Sequence, residues 1–319
     1  MEKQRKVFCI GIDLGGTFIK GGIIDLQGNL LVSNQVDTQS SAGPEQVVKN
    51  IANLVEMLIK DFKQDKSSIV GVGLGAPGII DSEKGIAVCS HNLHFDNFEL
   101  AKKLKEKTGF EVKIANDANL ALLGEVLFGG AKASKNALMI TLGTGVGGGA
   151  VIDGKLLQGN KSAGAEFGHS VICVDGNKCS CGRKGCLEAY ASATALIKQT
   201  KEAMKNNKSS KMWAIKNIDL VNGKTAFDYE KTDATAKQVV ENYIKYLATG
   251  LTNFSNVFRP EVILIGGGIS NQGENLICRL QKEVDKQIFA SKETPKVKIK
   301  KAELGTNAGV LGSIGLFYN

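Results

Sequence analysis

His169 is followed, after nine residues, by Cys179, Cys181 and Cys186. One imidazole and three thiolates make a complete tetrahedral donor set for Zn²⁺ with no position left for water, so the expected metal is structural. Three of the seven cysteines fall within eight residues, which in a reducing compartment points to a metal rather than to disulfides. The other four, Cys9, Cys89, Cys173 and Cys278, stand among apolar residues and read as inert core. If His169 gives one ring nitrogen to zinc, the other is oriented to donate to a ligand. Glu166 and Glu188 would be held near the same place.

A second chemistry lies in Asp13-Leu14-Gly15-Gly16-Thr17 with Lys20 nearby. Glycines in a turn let backbone amides approach phosphate oxygens, a hydroxyl donates to them, and a lysine adds a compact charge. Asp13 is suited to hold Mg²⁺, through water. Leu142 to Gly149 forms a similar turn with Thr144 and Gly145, but carries Thr141 where the first has Asp13. Either turn could also be purely structural. Neither has the spacing of a P-loop.

Asp117 follows Asn116 at the end of a predicted strand. A carboxylate there can accept a proton from a substrate hydroxyl while the neighbouring amide orients that substrate; the pair can equally cap the following helix, Ala118 to Leu127. Gly266-Gly267-Gly268 after a buried strand suggests close backbone approach to a flat ligand such as adenine or ribose. Asn92, in a polar loop, could read a sugar hydroxyl or simply form a turn.

These residues need a scaffold, and apolar periodicity supplies one. Val7–Ile12 and Gly21–Asp25 read as a hairpin, Glu45–Phe62 as an amphipathic helix, Ile69–Leu74 and Val112–Ala115 as strands. Helices are expected over about Leu187–Lys205 and Ala236–Phe254, strands over Glu261–Ile265 and Lys296–Ala302, and a closing helix over Asn307–Phe317. Asn206–Thr235 is polar and lysine-rich and reads as a surface excursion. Strands alternating with helices imply an α/β sheet with ligands at the strand C-termini. Ile12–Asp25 superposes without a gap on Ile140–Asp153 with six of fourteen positions identical, which suggests two related α/β halves.

At 319 residues, 43% hydrophobic and 23% charged, the chain has room for two domains and an ordinary globular core. The net charge of +8 comes from dispersed lysines and aromatics are 6%, so a solvated basic surface is expected rather than a nucleic-acid platform. The basic start, Met1–Lys6, precedes an apolar run too short for secretion or membrane spanning. A cytoplasmic protein without nucleic-acid or membrane partners is expected.

Asp13–Thr17, Gly75–Gly78, Asn116-Asp117, Leu142–Gly149, Glu166–His169, Cys179–Glu188 and Gly266–Gly268 together resemble the ROK family of sugar kinases and repressors, over nearly the whole chain. The nearest resemblance is to its bacterial glucokinases. The resemblance implies two actin-like (ribonuclease H-like) ATPase domains with a cleft between them, one formed by 1–118 and about 303–319, the other by 119–302. It implies ATP and Mg²⁺ as cofactors, a structural Zn²⁺, a hexose substrate and a homodimer. Asp117 maps to the catalytic aspartate. Gly75, Asn92, Asn116, Asp117, Glu166, His169 and Glu188 map to sugar contacts, and His169, Cys179, Cys181 and Cys186 to zinc ligands. Asp13, Gly15, Gly16, Thr17, Lys20, Thr144, Gly145 and Gly266–Gly268 map to the nucleotide and its metal. Phe95 and Ala165 depart from residues common in the family, tryptophan and glycine respectively. The family's repressors carry a helix-turn-helix domain first; with twelve residues before Asp13, none is expected. Other kinases of the family would act on N-acetylmannosamine, N-acetylglucosamine, fructose or allose.

Overall fold

A strand that is apolar at nearly every position must be covered on both faces. In the computed structural model, which describes residues 7–290 and 292–318, the first such run becomes β1 (Phe8–Leu14), an interior strand. The basic stretch Met1–Lys6 lies outside the described residues. β1 pairs antiparallel with β2 (Phe18–Asp25), and β2 with the edge strand β3 (Leu30–Asp37). Helix α1 (Pro44–Asp61) begins with proline in its first turn and buries Val47, Val48, Ile51, Leu54, Val55 and Leu58, spaced as one helical face. β4 (Ile69–Ala76) then runs parallel to β1. A small sheet of β5 (Ile79–Asp81), β6 (Ile86–Ser90) and β7 (Phe95–Phe98) follows. α2 (Leu100–Thr108) leads to β8 (Val112–Asn116), parallel to β4, and α3 (Asp117–Phe128) starts where β8 ends. The main sheet has the order β3-β2-β1-β4-β8.

The chain forms two compact units. One runs to Ala133 and takes in residues 154–165 and the chain from Glu303; the other holds Ser134–Asp153 and Glu166–Ala302. The first boundary therefore falls at Ala133, not at 118, and residues 154–165 also join the first unit. The physical reason is α3. Its Gly124 lies so close to the C-terminal segment that a Cβ there would stand 2.3 Å from the Ala308 carbonyl oxygen. Buried Glu125 accepts hydrogen bonds from Gly130 N and Leu304 N, both at 2.8 Å. These bonds hold α3 within the first unit.

The second unit opens with β9 (Ala137–Leu142) and β10 (Val146–Ile152), an antiparallel hairpin. After residues 154–165, with β11 (Lys155–Leu156), it resumes with α4 (Glu188–Ala191), α5 (Ala193–Asn206), α6 (Thr225–Tyr229) and α7 (Ala234–Phe258). β12 (Val262–Gly266) pairs parallel with β9, α8 (Glu274–Gln287) follows, and β13 (Lys298–Lys301) pairs with β12. The order β10-β9-β12-β13 repeats β2-β1-β4-β8, so the sequence repeat is a repeat of topology. The ungapped register, however, holds only for the first strand of each hairpin. Leu14 pairs with Ile19 but Leu142 with Val146, so the second turn is one residue shorter and Gly21 corresponds to Gly148.

Other expectations change as well. The excursion 206–235 folds into short helices over Lys211–Ile215, Ile218–Leu220 and α6, burying Met212 and Phe227; its anchors are too irregularly spaced for a period to show. The closing helix divides into α9 (Ala308–Gly312) and α10 (Gly315–Tyr318). Cys9 is buried, but Cys89 is half-buried and Cys173 and Cys278 are exposed. Cys278 sits on the solvent side of amphipathic α8, whose core face is Leu276, Ile277, Leu280 and Val284. Among the described residues no helix is long and apolar enough to cross a membrane.

Candidate functional site

In the first unit the chemistry gathers at the C-terminal ends of three neighbouring parallel strands. Asp13 near the end of β1 stands in register with Gly75 on β4 and with Lys20 on β2. One step further, Ala76 is opposite Asn116 on β8, and a Cβ at Gly75 would lie 3.5 Å from Asp117 Cα. Asp13, Lys20, Gly75, Asn116 and Asp117 are thus brought together. The expected cap is also present: Asn116 Oδ1 accepts from Ala118 N at 3.0 Å and Asn119 N at 3.3 Å, and its Nδ2 donates to Gly78 O at 3.1 Å. Asn116 is the N-cap and Asp117 the first helical residue, and Asp117 Oδ1 also accepts from Ala118 N, at 2.8 Å. Asn92 is exposed on the 3₁₀ turn His91–Leu93, two residues past Ser90, whose backbone lies against Gly78.

Burial pushes the Asp13 carboxyl up to about 6; the charge of Asp117 adds to the rise and Lys20 offsets part of it. Burial also raises Asp117, against the lowering effect of the amides of Ala118 and of its own residue at the helix start. Two half-buried carboxylates in each other's field are a donor set that a divalent cation would relieve, so these residues fit Mg²⁺. The Gly15–Thr17 turn is shaped by Gly15 N donating to Phe18 O at 3.0 Å and Thr38 Oγ1 donating to Gly15 O at 2.7 Å. Gly16 and Thr17 are exposed. A Cβ at Gly16 would meet nothing within 4 Å and its φ is not positive, so the fold alone does not explain glycine there. The sequence reading missed Gly309 of α9: a Cβ there would come within 3.2 Å of Asp13 Cγ. The signal was available, because Gly309, Gly312 and Gly315 recur at one helical spacing.

In the second unit the four expected metal ligands do converge. One ligand atom each from His169, Cys179, Cys181 and Cys186 lies within 4.8 Å of all the others. Cys181 Sγ is 3.7 Å from Cys186 Sγ, and Cys179 Sγ is 3.7 Å from His169 Nδ1. A tetrahedron with Zn–S bonds of about 2.3 Å has S···S edges of about 3.8 Å, whereas a disulfide needs about 2.05 Å. Without a cation, burial and the neighbouring sulfurs push the Cys186 thiol up to about 12; a coordinated thiol is deprotonated outright. The set fits Zn²⁺. Its loop is built by bridges Lys178–Lys184 and Val171–Cys186. At Gly185, φ is 80° and a Cβ would stand 1.8 Å from Cys173 O, so only glycine closes the loop.

Phe167 anchors the Glu166–His169 turn, its ring 4.7 Å from that of Phe254 and 5.9 Å from that of Phe258. Glu166 is exposed and His169 half-buried. Ala165 adopts φ 61°, a conformation that costs an alanine about 1 kcal/mol or more and suits glycine better. Glu188 accepts from Val146 N at 3.0 Å and from Ser180 Oγ at 2.9 Å. Thr144 is exposed and Gly145 half-buried at the turn of the second hairpin. Gly266 is opposite Thr141, and Gly267, at φ 80°, packs so close that a Cβ would lie 2.4 Å from Leu142 O. The glycine run and the second hairpin are therefore neighbours. Gly143 and Gly268, like Gly16, have open space where a Cβ would stand.

Two outcomes follow from these geometries. Asp13 has a folded pKa of about 6 against an ordinary value of 3.8, so the folded state binds the proton more tightly. Its ionised form then lowers stability above about pH 6, and that cost fades as pH falls toward 4. Asp13→Asn should melt a few degrees above wild type at pH 7.5 without divalent cations, with the gap about halved at pH 5 and closing near pH 4; a lower melting temperature at pH 7.5 would contradict the charge argument. Protein purified without chelator should carry about one zinc per chain by elemental analysis, and Cys181→Ser should lose it. Zinc-free wild type would count against the site.

Residues 9–319 match the ROK family. The glucokinase of Halalkalibacterium halodurans is 36% identical over 323 residues, spanning 95% of this chain and 92% of that protein. The glucokinase of Thermotoga maritima is 35% identical over 314 residues, spanning 98% and 97%. Among solved structures, a ROK family glucokinase from Streptomyces griseus in complex with glucose and AMPPNP superposes with a TM-score of 0.81 at 30% identity, covering 97% of this chain and 98% of that chain. The α/β architecture of two actin-like (ribonuclease H-like) units expected from the sequence is borne out. With similarity running along almost all of its length, this chain belongs to the ROK family.

Proposed function

We propose that this protein is an ATP- and Mg²⁺-dependent hexose kinase acting on glucose, with Asp117 as its catalytic base. The observation that carries the reading is the pair of carboxylates with raised pKa, Asp13 and Asp117, at the ends of the two strands that flank β4. The full-length similarity to glucokinases supports the choice of sugar.

Phosphoryl transfer through a loose transition state asks the protein for position and charge rather than covalent chemistry. Asp117 accepts the proton of the sugar hydroxyl as that oxygen bonds to phosphorus, and its raised pKa makes it a better base than an ordinary carboxylate. Asp13, with Lys20 beside it, holds the Mg²⁺, which when bound neutralises charge on the phosphates. Gly15, Gly16 and Thr17, and Thr144 and Gly145, present amides and hydroxyls to those phosphates, while Gly266–Gly268 leave room for the adenosine. Gly75, Asn92, Asn116, Glu166, His169 and Glu188 contact the sugar alongside Asp117. Zn²⁺ on His169, Cys179, Cys181 and Cys186 fixes the loop that carries three of these contacts. Three cysteines kept as thiolate ligands require a reducing compartment, which supports a cytoplasmic location.

A coupled assay across glucose, N-acetylmannosamine, N-acetylglucosamine, fructose and allose should show the highest kcat/KM for glucose. A better substrate among the others would reassign the sugar, and turnover of none would sink the kinase reading. Asp117→Asn should lower kcat by about 10²–10⁴-fold while changing sugar affinity only a few-fold. Turnover at the wild-type rate would remove Asp117 from the role of base.

A further inference from the structure

Glu188 has more partners than a sugar contact requires. It is the first residue of α4, two positions after Cys186. One carboxylate oxygen, Oε1, accepts from Ser180 Oγ at 2.9 Å and lies 3.7 Å from Cys179 Sγ. Ser180 stands between two of the four metal ligands. The other oxygen, Oε2, accepts at 3.0 Å from Val146 N, the residue with which β10 leaves the Gly143–Gly145 turn. A Cβ at Gly145 would lie 2.4 Å from that same oxygen, so the turn closes directly onto the carboxylate. The start of α5 holds the turn as well: Ala193 N donates to Gly143 O at 2.8 Å and Thr194 Oγ1 donates to Thr144 O at 2.7 Å.

We infer that Glu188 is a positioning residue for the nucleotide, tying the four-ligand metal loop to the second glycine turn so that the loop sets ATP affinity as well as sugar contact. The inference rests on the phosphate role proposed for Leu142–Gly149. Its physical basis is entropy. Two of the three turn residues are glycine, which loses the most conformational freedom on ordering. A turn fixed beforehand by bonds from outside gives up less when phosphate arrives, and binds more tightly. Val146 N donates to the Glu188 carboxylate, and a glutamine could keep that bond through its carbonyl oxygen.

The test measures binding, not turnover: titration calorimetry of MgAMPPNP without sugar, and of glucose without nucleotide, on proteins of matched zinc content and melting temperature. Glu188→Ala removes the acceptor and should weaken MgAMPPNP about tenfold or more, whereas Glu188→Gln keeps it and should stay within about threefold of wild type. Ser180→Ala leaves all four metal ligands in place and should weaken MgAMPPNP by about two- to fivefold with glucose affinity unchanged. MgAMPPNP binding at wild-type strength in Glu188→Ala, with glucose affinity lost, would make Glu188 a sugar contact alone. Equal losses in Gln and Ala would overturn the acceptor argument. If Glu188→Ala fails to fold, unaltered MgAMPPNP binding in Ser180→Ala overturns the link to the metal loop. Wild type that binds no MgAMPPNP would instead defeat the kinase reading.

Discussion

The energetic tension in the first unit lies between two carboxylates. β1, β4 and β8 run parallel, so their C-terminal ends fall side by side, and the register of the sheet brings Asp13 and Asp117 into each other's field. Half-buried like charges are costly, and the fold supports them from several directions: Lys20 opposite Asp13, the helix start under Asp117, and glycine at Gly309 where α9 passes Asp13. Such an arrangement lowers the stability of the metal-free protein and raises its readiness for a cation. Sites of this kind trade stability for activity.

The second unit repeats the strand order without repeating the charge. Thr141 occupies the position of Asp13, the turn is one residue shorter, and a carboxylate arrives instead from Glu188 on a neighbouring segment. That segment follows directly from the cysteine loop, so the four-ligand site and the second glycine turn are mechanically one piece. A common topology has thus been given two organising devices, a carboxylate pair in one unit and, in the other, a loop with four converging His and Cys side chains tied to the turn by Glu188.

Much of this was legible in the sequence, for identifiable reasons. His169, Cys179, Cys181 and Cys186 are close in sequence, and few backbone paths keep four such side chains apart. Asp13 and Asp117 stood out because each ends an apolar strand. The edge strand β3 did not, since its residues alternate between half-buried and exposed and carry polar side chains. Glu125 offered no local clue that it would accept from Leu304 N, 179 residues away. The bond of Glu188 to Val146 N was hidden for the same reason, as Val146 is 42 residues distant. The gapless repeat misled in its second half, because a turn can lose a residue while glycines on either side keep the alignment plausible.

The pH dependence of the two kinetic constants bears most directly on the carboxylate pair. kcat/KM for MgATP reports ionisations of the free enzyme, and kcat those of the loaded complex. Protonated Asp13 cannot hold the cation, so kcat/KM should rise with pH through an acid limb near the value of about 6 set by burial and by Asp117. With the cation in place the proton is displaced, so the limb in kcat should move to lower pH. Acid limbs that coincide in the two profiles, or that both lie in the ordinary carboxylate range, would contradict the account.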